Sequence, residues 1–399
     1  MGEQTLHSLF YFNKTQSILK FSRPSRAWVY YRDKKIDLVK QQVFASDTQQ
    51  LENYFSKLPL FGQELRSRPR VIHVNYNYGH ILLKGSVGPE VPLLVDIEYE
   101  QVEPVHFKTS SNDFRVHVQG PRVEEYAPRF QKCYEALLRG DSYQLNLTAP
   151  FVCKFEEQNF SQLINFFFSQ PKQLGAYAHA TTIPFLNLGL LSNSPECLFQ
   201  ASLLDDRSIK LLSMPIKGTL RVSDESERKK INQQLFHDKK NQNELFIIID
   251  LIRNDLSKIE RPIAKLVAKK IPLSVPGLAH LASIISVDLS RHVSIAQVLA
   301  ALFPGGSITG APKIRTMQIL ESVENYDRGF YTGSTILMWQ KMAAASINIR
   351  TLQFDLNSNS GIYGAGGAIT LQSEMLTEYE EMLAKVESFV GMFSLGPQR

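Results

Sequence analysis

A chain of 399 residues with 43% hydrophobic and 10% aromatic content can bury a large core and exceeds the usual ceiling for one compact domain, so a two-lobed unit or two domains is expected. The net charge of +5 arises from 44 Lys and Arg interspersed with 39 Asp and Glu, which argues against a nucleic-acid partner and suits a small acidic ligand in a local basic pocket. Cys133, Cys153 and Cys197 are too few and too widely spaced for a disulfide framework or a zinc site, and no segment reads as a leader or a membrane span; a reducing cytoplasm and no membrane partner are expected.

Residues 1–115 alternate short apolar and aromatic runs ("RAWVYY", "VIHVNYNY", "VPLLVDIEY") with Gly, Pro and Asn turns, which predicts an N-terminal β-rich subdomain carrying little recognisable chemistry. A second region, 120–395, holds the motifs. Ala127, Phe130, Cys133, Tyr134, Leu137 and Leu138 recur at helical spacing and Gly140 supplies a stop, predicting a helix over 124–138. A strand follows in "SYQLNLT", with Gln144, Asn146 and Thr148 on one face, either solvent or a site. Helices are predicted at 244–256, at 311–323 with Pro312 in the first turn, and at 376–389, and strands at 346–352 and around Ile362. Helices and strands interleave without regular βαβ units, which favours α+β over a doubly wound sheet.

Two glycine-rich stretches invite nucleotide readings and fail them. In "PGGSITGAPK" Gly310 is followed by Ala-Pro where a phosphate loop needs Lys and Ser or Thr, and no helical pattern directly follows "GAGGAI" (364–369); tight turns are the simpler reading. Glu378, Glu381 and Lys385 lie on one face of the last helix, where a solvated charged face is the ordinary explanation. Glu244 opens an apolar helix, and carboxylates from two buried helices can hold Mg²⁺. Glu196 in "SNSPECLF" precedes an apolar run that would raise its pKa, as suits a general acid, or else it is a surface-turn glutamate. Arg350 in "INIRTL" needs an anion, structural or substrate. His280 is by default a satisfied core histidine.

Taken in order, "DSYQLNLTAPF", "SNSPECLF", "PIKGTLR", "NELFIIIDLIRNDL", "AHLAS", "LFPGGSITGAPK", "RGFYTG", "INIRTL", "GAGGAI" and "TEYEEMLAK" resemble the chorismate-utilising enzymes, which include anthranilate synthase component I, aminodeoxychorismate synthase component I and the isochorismate and salicylate synthases. The resemblance spans residue 124 to the C-terminus. It implies an anthranilate synthase component I-like α+β fold, large antiparallel β-sheets packed face to face with flanking helices, the pocket lying between two lobes.

Lys217 in "PIKGT" matches the aminodeoxychorismate synthases, where anthranilate synthases read Pro-Ile-Ala-Gly-Thr. The resemblance thus implies a nucleophilic Lys217 that attacks carbon 2 of chorismate and expels the carbon-4 hydroxyl before ammonia enters at carbon 4. A neutral amine is needed, which the apolar "LLSMPI" run would favour by desolvation. Carried over in the same way, Glu196 is the acid that protonates the leaving hydroxyl. Glu244, Glu378 and Glu381 form the Mg²⁺ region. Tyr331, Arg350, Lys385 and the backbone around Gly364 and Gly366 hold the substrate's carboxylates. Gly218 and Thr219 line the pocket beside Lys217, and His280 maps to the site. Gln144 stands where isochorismate and salicylate synthases carry a water-activating lysine; a glutamine cannot serve as a base, so water is disfavoured as the nucleophile. Ammonia is expected from a separate glutaminase subunit, and the product to feed 4-aminobenzoate and folate synthesis. Alternatives are anthranilate synthesis and a chorismate-binding subunit without catalysis. Ala368 departs from the family's "GAGGG" run and "LQSEMLTE" from its Asp-Ser-x-Pro entry to the last helix, but neither removes a reacting group.

Overall fold

The computed structural model describes residues 5–62, 68–83, 85, 87, 88, 90–108, 114–156, 159–204, 208–222, 224–275 and 278–393. Every strand pairing among them is antiparallel. The N-terminal strands His7–Phe12, Ser17–Tyr30, Leu94–Val105 and Arg70–Val74 pair in that order. Later segments join both ends of the set: His179–Ile183 lies against His7–Phe12, and Ser334–Trp339 against Arg70–Val74. The circuit continues through Leu188–Ser192, Thr351–Asp355 and Met342–Ile347, and closes around a core that includes Phe10, Phe21, Val95, Tyr99, Leu190 and Leu337.

Two sheets extend from this ring. One runs from Thr351–Asp355 through Ser360–Ile369 to Gln144–Phe155, and is backed by helices Val123–Leu138, Phe160–Phe168, Lys313–Glu324 and Met375–Val390 over a phenylalanine-rich core. The other runs from Met342–Ile347 through Cys197–Leu203 and Ser208–Met214 to Leu278–Ser290, with Ile216–Arg221 and Lys265–Val275 also on that last strand. Helices Thr48–Ser56, Lys239–Glu260 and Ile295–Leu302 cover it, burying Leu51, Phe55, Ile248, Leu256, Val298 and Leu299. This is the arrangement of large antiparallel sheets with flanking helices that the resemblance implied.

Two strand tracks carry the chain from one sheet to the other: Leu188–Ser192 leads into Cys197–Leu203, and Met342–Ile347 into Thr351–Asp355. Both are interrupted at the crossing, at 193–196 and 348–350. The breaks are tied together by Ile347 N–H to the Glu196 carbonyl at 3.0 Å and Asn193 N–H to the Arg350 carbonyl at 2.9 Å. Arg350 takes φ +52°, the left-handed region. A continuous strand over 346–352 is therefore corrected, because at the crossing Arg350 must turn out of the ladder.

Further differences have local causes. The predicted 311–323 helix starts at Lys313, since Ala311 pairs with Gln144 in a short strand and Pro312 is the N-cap. "GAGGAI" is not a tight turn but the end of strand Ser360–Ile369; the turn reading holds for Gly310, at φ +139°. The Lys265–Val275 and Leu278–Ser290 hairpin was not signalled, because Lys269, Lys270 and Pro272 interrupt any clean alternation in its first strand. All three cysteines are buried and free. No helix among the described residues is long and apolar enough to cross a membrane.

Candidate active site

A cavity opens where the two sheets face each other across the crossing. From one sheet come Ile216, Lys217 and His280; from the other come Asn146, Thr148 and the 363–368 run, with Glu378, Glu381 and Lys385 from the helix behind it. The crossing supplies Pro195, Glu196, Ile349 and Arg350, and flanking loops supply Ser307, Ile308, Tyr331 and Thr332. Of the residues marked in the sequence, Lys217, Glu196, His280, Tyr331, Arg350, Gly364, Gly366, Lys385, Glu378 and Glu381 thus share one space although 189 positions separate Glu196 from Lys385 in the chain.

Lys217 is half-buried in the strand Ile216–Arg221, and its Nζ donates to the Ser307 carbonyl at 3.3 Å. Glu196 is 4% exposed, and burial raises its pKa against the opposing charge of Lys217. Its Oε1 has no hydrogen-bond partner, nor has the Ser307 hydroxyl. A buried carboxyl with a raised pKa and a vacant oxygen is poised to carry a proton to something in the cavity.

Two further basic side chains line the same cavity. The Arg350 guanidinium approaches the His280 Nε2 at 3.2 Å, and burial holds its pKa below the usual arginine value. Among the described residues no carboxylate is within ion-pair distance of Arg350, so an anion entering the cavity meets a desolvated guanidinium. His280 is accordingly more than a core histidine, since it lines the cavity and contacts Arg350. Lys385 donates to the Gly366 carbonyl at 2.7 Å and pairs with Glu381 at 2.8 Å. The strand Thr351–Asp355 ends its pairing at Leu352 opposite Tyr363, so beyond that point the Gly364–Ile369 stretch keeps only the Gln144–Phe155 strand as its neighbour. Its other backbone edge borders the cavity. A Cβ on Gly364 would sit 2.1 Å from the Tyr331 ring, which explains why a glycine must occupy that position.

Glu378 is 2% exposed and accepts from the Ser373 hydroxyl at 2.7 Å; Glu381 is half-buried on the same helical face. A Cβ on Gly367 would come within 3.2 Å of Glu378 Oε2, so the glycine leaves a small cradle in front of that carboxylate. Two hard oxygen donors facing an anion pocket suit Mg²⁺. The side chains of Glu244 and Thr219 lie outside the described residues, as do the surroundings of Gly218, and among the described residues no three acidic, histidine or cysteine side chains cluster as a metal site.

Gln144 is the one described site residue absent from the cavity wall. It is nonetheless fully buried, on the strand face shared with Asn146 and Thr148, and neither of its amide atoms has a partner. Asn146, Thr148, Ser307 and Thr332 were missed as functional positions. For Asn146 and Thr148 the alternation of "SYQLNLT" was the available signal; Ser307 and Thr332 sit in loops, where periodicity is silent.

Comparison with known proteins places these features in context. Residues 89–391 match the family model described as chorismate binding enzyme. An aminodeoxychorismate synthase component 1 of Klebsiella aerogenes is 33% identical over 270 residues, covering 66% of this chain and 56% of that protein. An anthranilate synthase component 1 of Haloarcula marismortui is 33% identical over 273 residues, covering 66% of this chain and 51% of that protein. The match therefore spans little more than half the length of either relative. The crystal structure of anthranilate synthase component I from Streptococcus pneumoniae superposes with a TM-score of 0.74 at 18% identity, over 93% of this chain and 91% of that one, a likeness of fold.

Proposed function

We propose, from the premise that this chain belongs to the chorismate binding enzymes, that it aminates chorismate to 4-amino-4-deoxychorismate, with Lys217 as a transient covalent nucleophile. The observation that carries the reading is that Lys217 and Glu196 line the same cavity as Arg350 and Lys385. A lysine has no evident use beside a buried carboxyl unless as a nucleophile or a charge partner, and a carboxyl of raised pKa complements the first role.

The residues divide the work as follows. Arg350, with His280 at its side, and the free edge of the 364–368 run hold the carboxylates of the diacid and present carbon 2 of the ring to Lys217. The amine forms a C–N bond at carbon 2, the two conjugated ring double bonds shift to C1=C6 and C4=C5, and the carbon-4 hydroxyl departs as water with the proton of Glu196. Ammonia then bonds to carbon 4, the C2–N bond breaks, and Lys217 leaves as the amine. The sum is chorismate plus ammonia giving aminodeoxychorismate plus water. Glu378 and Glu381, with Glu244, are the residues that would hold Mg²⁺, which supplies neutralisation of a ring carboxylate. Gln144 cannot act as a base, so nothing at that position activates water. A separate glutaminase subunit is the proposed source of ammonia in a cytoplasmic setting.

Product identity tests the reading. Incubation with chorismate, Mg²⁺ and ammonium is expected to give aminodeoxychorismate, resolved by mass and by conversion to 4-aminobenzoate with a lyase, and chelation of the metal to abolish it. Anthranilate as the main product would overturn the reading in favour of the second activity in this family.

A further inference from the structure

Behind the cavity wall lies an ion pair that the chemistry above does not use. Arg328, 2% exposed, meets Glu324, four residues earlier at the end of its helix and 4% exposed, in a two-pronged contact: Nε to Oε2 at 2.8 Å and Nη2 to Oε1 at 2.6 Å. The remaining donors do not stay within the pair. Nη2 also donates to the Asn146 carbonyl at 2.9 Å, and Nη1 to the Ile308 carbonyl at 3.0 Å and the Thr332 hydroxyl at 3.4 Å. All five N–H groups of the guanidinium are thus engaged, and its plane lies 4.6 Å from the Tyr76 ring centre. Glu324 Oε1 in turn accepts from the Thr148 backbone N–H at 2.8 Å and from its hydroxyl at 2.9 Å, and the Tyr326 hydroxyl also bonds that hydroxyl.

Asn146, Thr148, Ile308 and Thr332 all line the active cavity, and they belong to three separate stretches of chain. Thr332 holds φ +58°, an uncommon conformation for a β-branched residue that the surroundings must impose. A buried ion pair is weak as a source of stability, because desolvation offsets most of its attraction, and apolar side chains of similar size would fill the space as well. What apolar packing cannot reproduce is a rigid planar fork reaching three segments at fixed angles.

We propose that Arg328 and Glu324 are positioning residues, setting the spacing of the Asn146, Thr148, Ile308 and Thr332 wall so that the chorismate ring lies in reach of Lys217. This rests on the proposed function for its substrate, and the test keeps the two apart by following total chorismate consumption whichever product forms. Arg328→Lys keeps the charge opposite Glu324 and loses the fork. It is expected to stay folded at the assay temperature by circular dichroism, to lose at least tenfold in kcat, and to change KM less than threefold, because Arg350 and the glycine run still bind the carboxylates. A folded Arg328→Lys with wild-type kcat would overturn the inference. Should Arg328→Lys fail to fold, Glu324→Gln decides by the same measurements, since its amide oxygen still accepts from Thr148 while its hold on Arg328 weakens. Wild-type kcat in that folded variant would again overturn the inference, and a loss in kcat exceeding the change in KM supports it. Anthranilate from the wild-type enzyme would fail the proposed function and leave this comparison intact.

Discussion

Replacing Gly364 by alanine adds one carbon and two hydrogens to the cavity wall, and the structure gives the consequence a magnitude. The new Cβ would lie 2.1 Å from Cδ1 of Tyr331 and 2.4 Å from both Cγ and Cε1. Carbon atoms prefer about 3.5–4.0 Å, so the ring must withdraw by more than roughly 1 Å. Tyr331 is 5% exposed and its ring edge borders the cavity, so the accessible direction is into the space meant for substrate. Overpacking of this kind costs about 1–3 kcal/mol. In a chain of this size that is a fall of a few degrees in Tm, measured by differential scanning fluorimetry. A ring displaced into the cavity is expected to lower kcat/KM at least tenfold, corresponding to about 1.4 kcal/mol of lost transition-state stabilisation. Steady-state kinetics on Gly364→Ala, with the folded fraction checked beside it, gives the answer. Wild-type kcat/KM together with wild-type Tm would show that Tyr331 and Gly364 do not face each other across this cavity, and the geometry argued for the carboxylate side would fall with it.

Two further outcomes follow from buried titratable groups. Because burial raises the Glu196 pKa, the acid needed for hydroxyl departure is present below that raised value and lost as pH rises through it; kcat against pH is expected to fall on the alkaline side, and Glu196→Gln to lose about 10²–10⁴ in kcat together with that limb. A Glu196→Gln enzyme of undiminished rate would remove the acid from the mechanism. His73 and His179 are fully buried with their Nε2 atoms unpartnered, and burial lowers both pKa values, that of His179 to about 4. Groups whose folded pKa lies below the unfolded value of about 6.5 bind protons more tightly when unfolded, so stability is complete above pH 6.5 and is lost as pH falls from there toward 4. The His179 contribution amounts to about 3 kcal/mol, read as a drop in the urea midpoint between pH 7 and pH 4 that His179→Phe reduces.

How much was legible in the sequence depended on whether a residue's role is local. The long helices were readable because their apolar stripes repeat within one element, as Phe130, Cys133 and Leu137 do. The cavity was readable only through the resemblance, since its walls come from segments on two sheets. Periodicity places Glu196 and Arg350 beside apolar runs but cannot reveal that both stand at strand interruptions bonded to each other. The resemblance pointed to the glycine run as a binding edge, yet composition alone read it as a turn, because glycines in a strand look like turn residues until the Tyr331 ring opposite them is known. Arg328 escaped notice altogether: nothing local distinguishes a buried guanidinium with five partners from a solvated one in "YDRGFYTG".

The central claim concerns the ε-amine at position 217, and rapid acid quenching of the enzyme during turnover on chorismate, followed by peptide mass spectrometry, addresses it most directly. The account predicts that the peptide containing Lys217 gains the mass of chorismate less one water, that the modification disappears when ammonium is supplied in excess, and that Lys217→Ala forms neither adduct nor aminodeoxychorismate. Aminodeoxychorismate formed at the wild-type rate by Lys217→Ala, with no modified lysine in the quenched wild type, would contradict it.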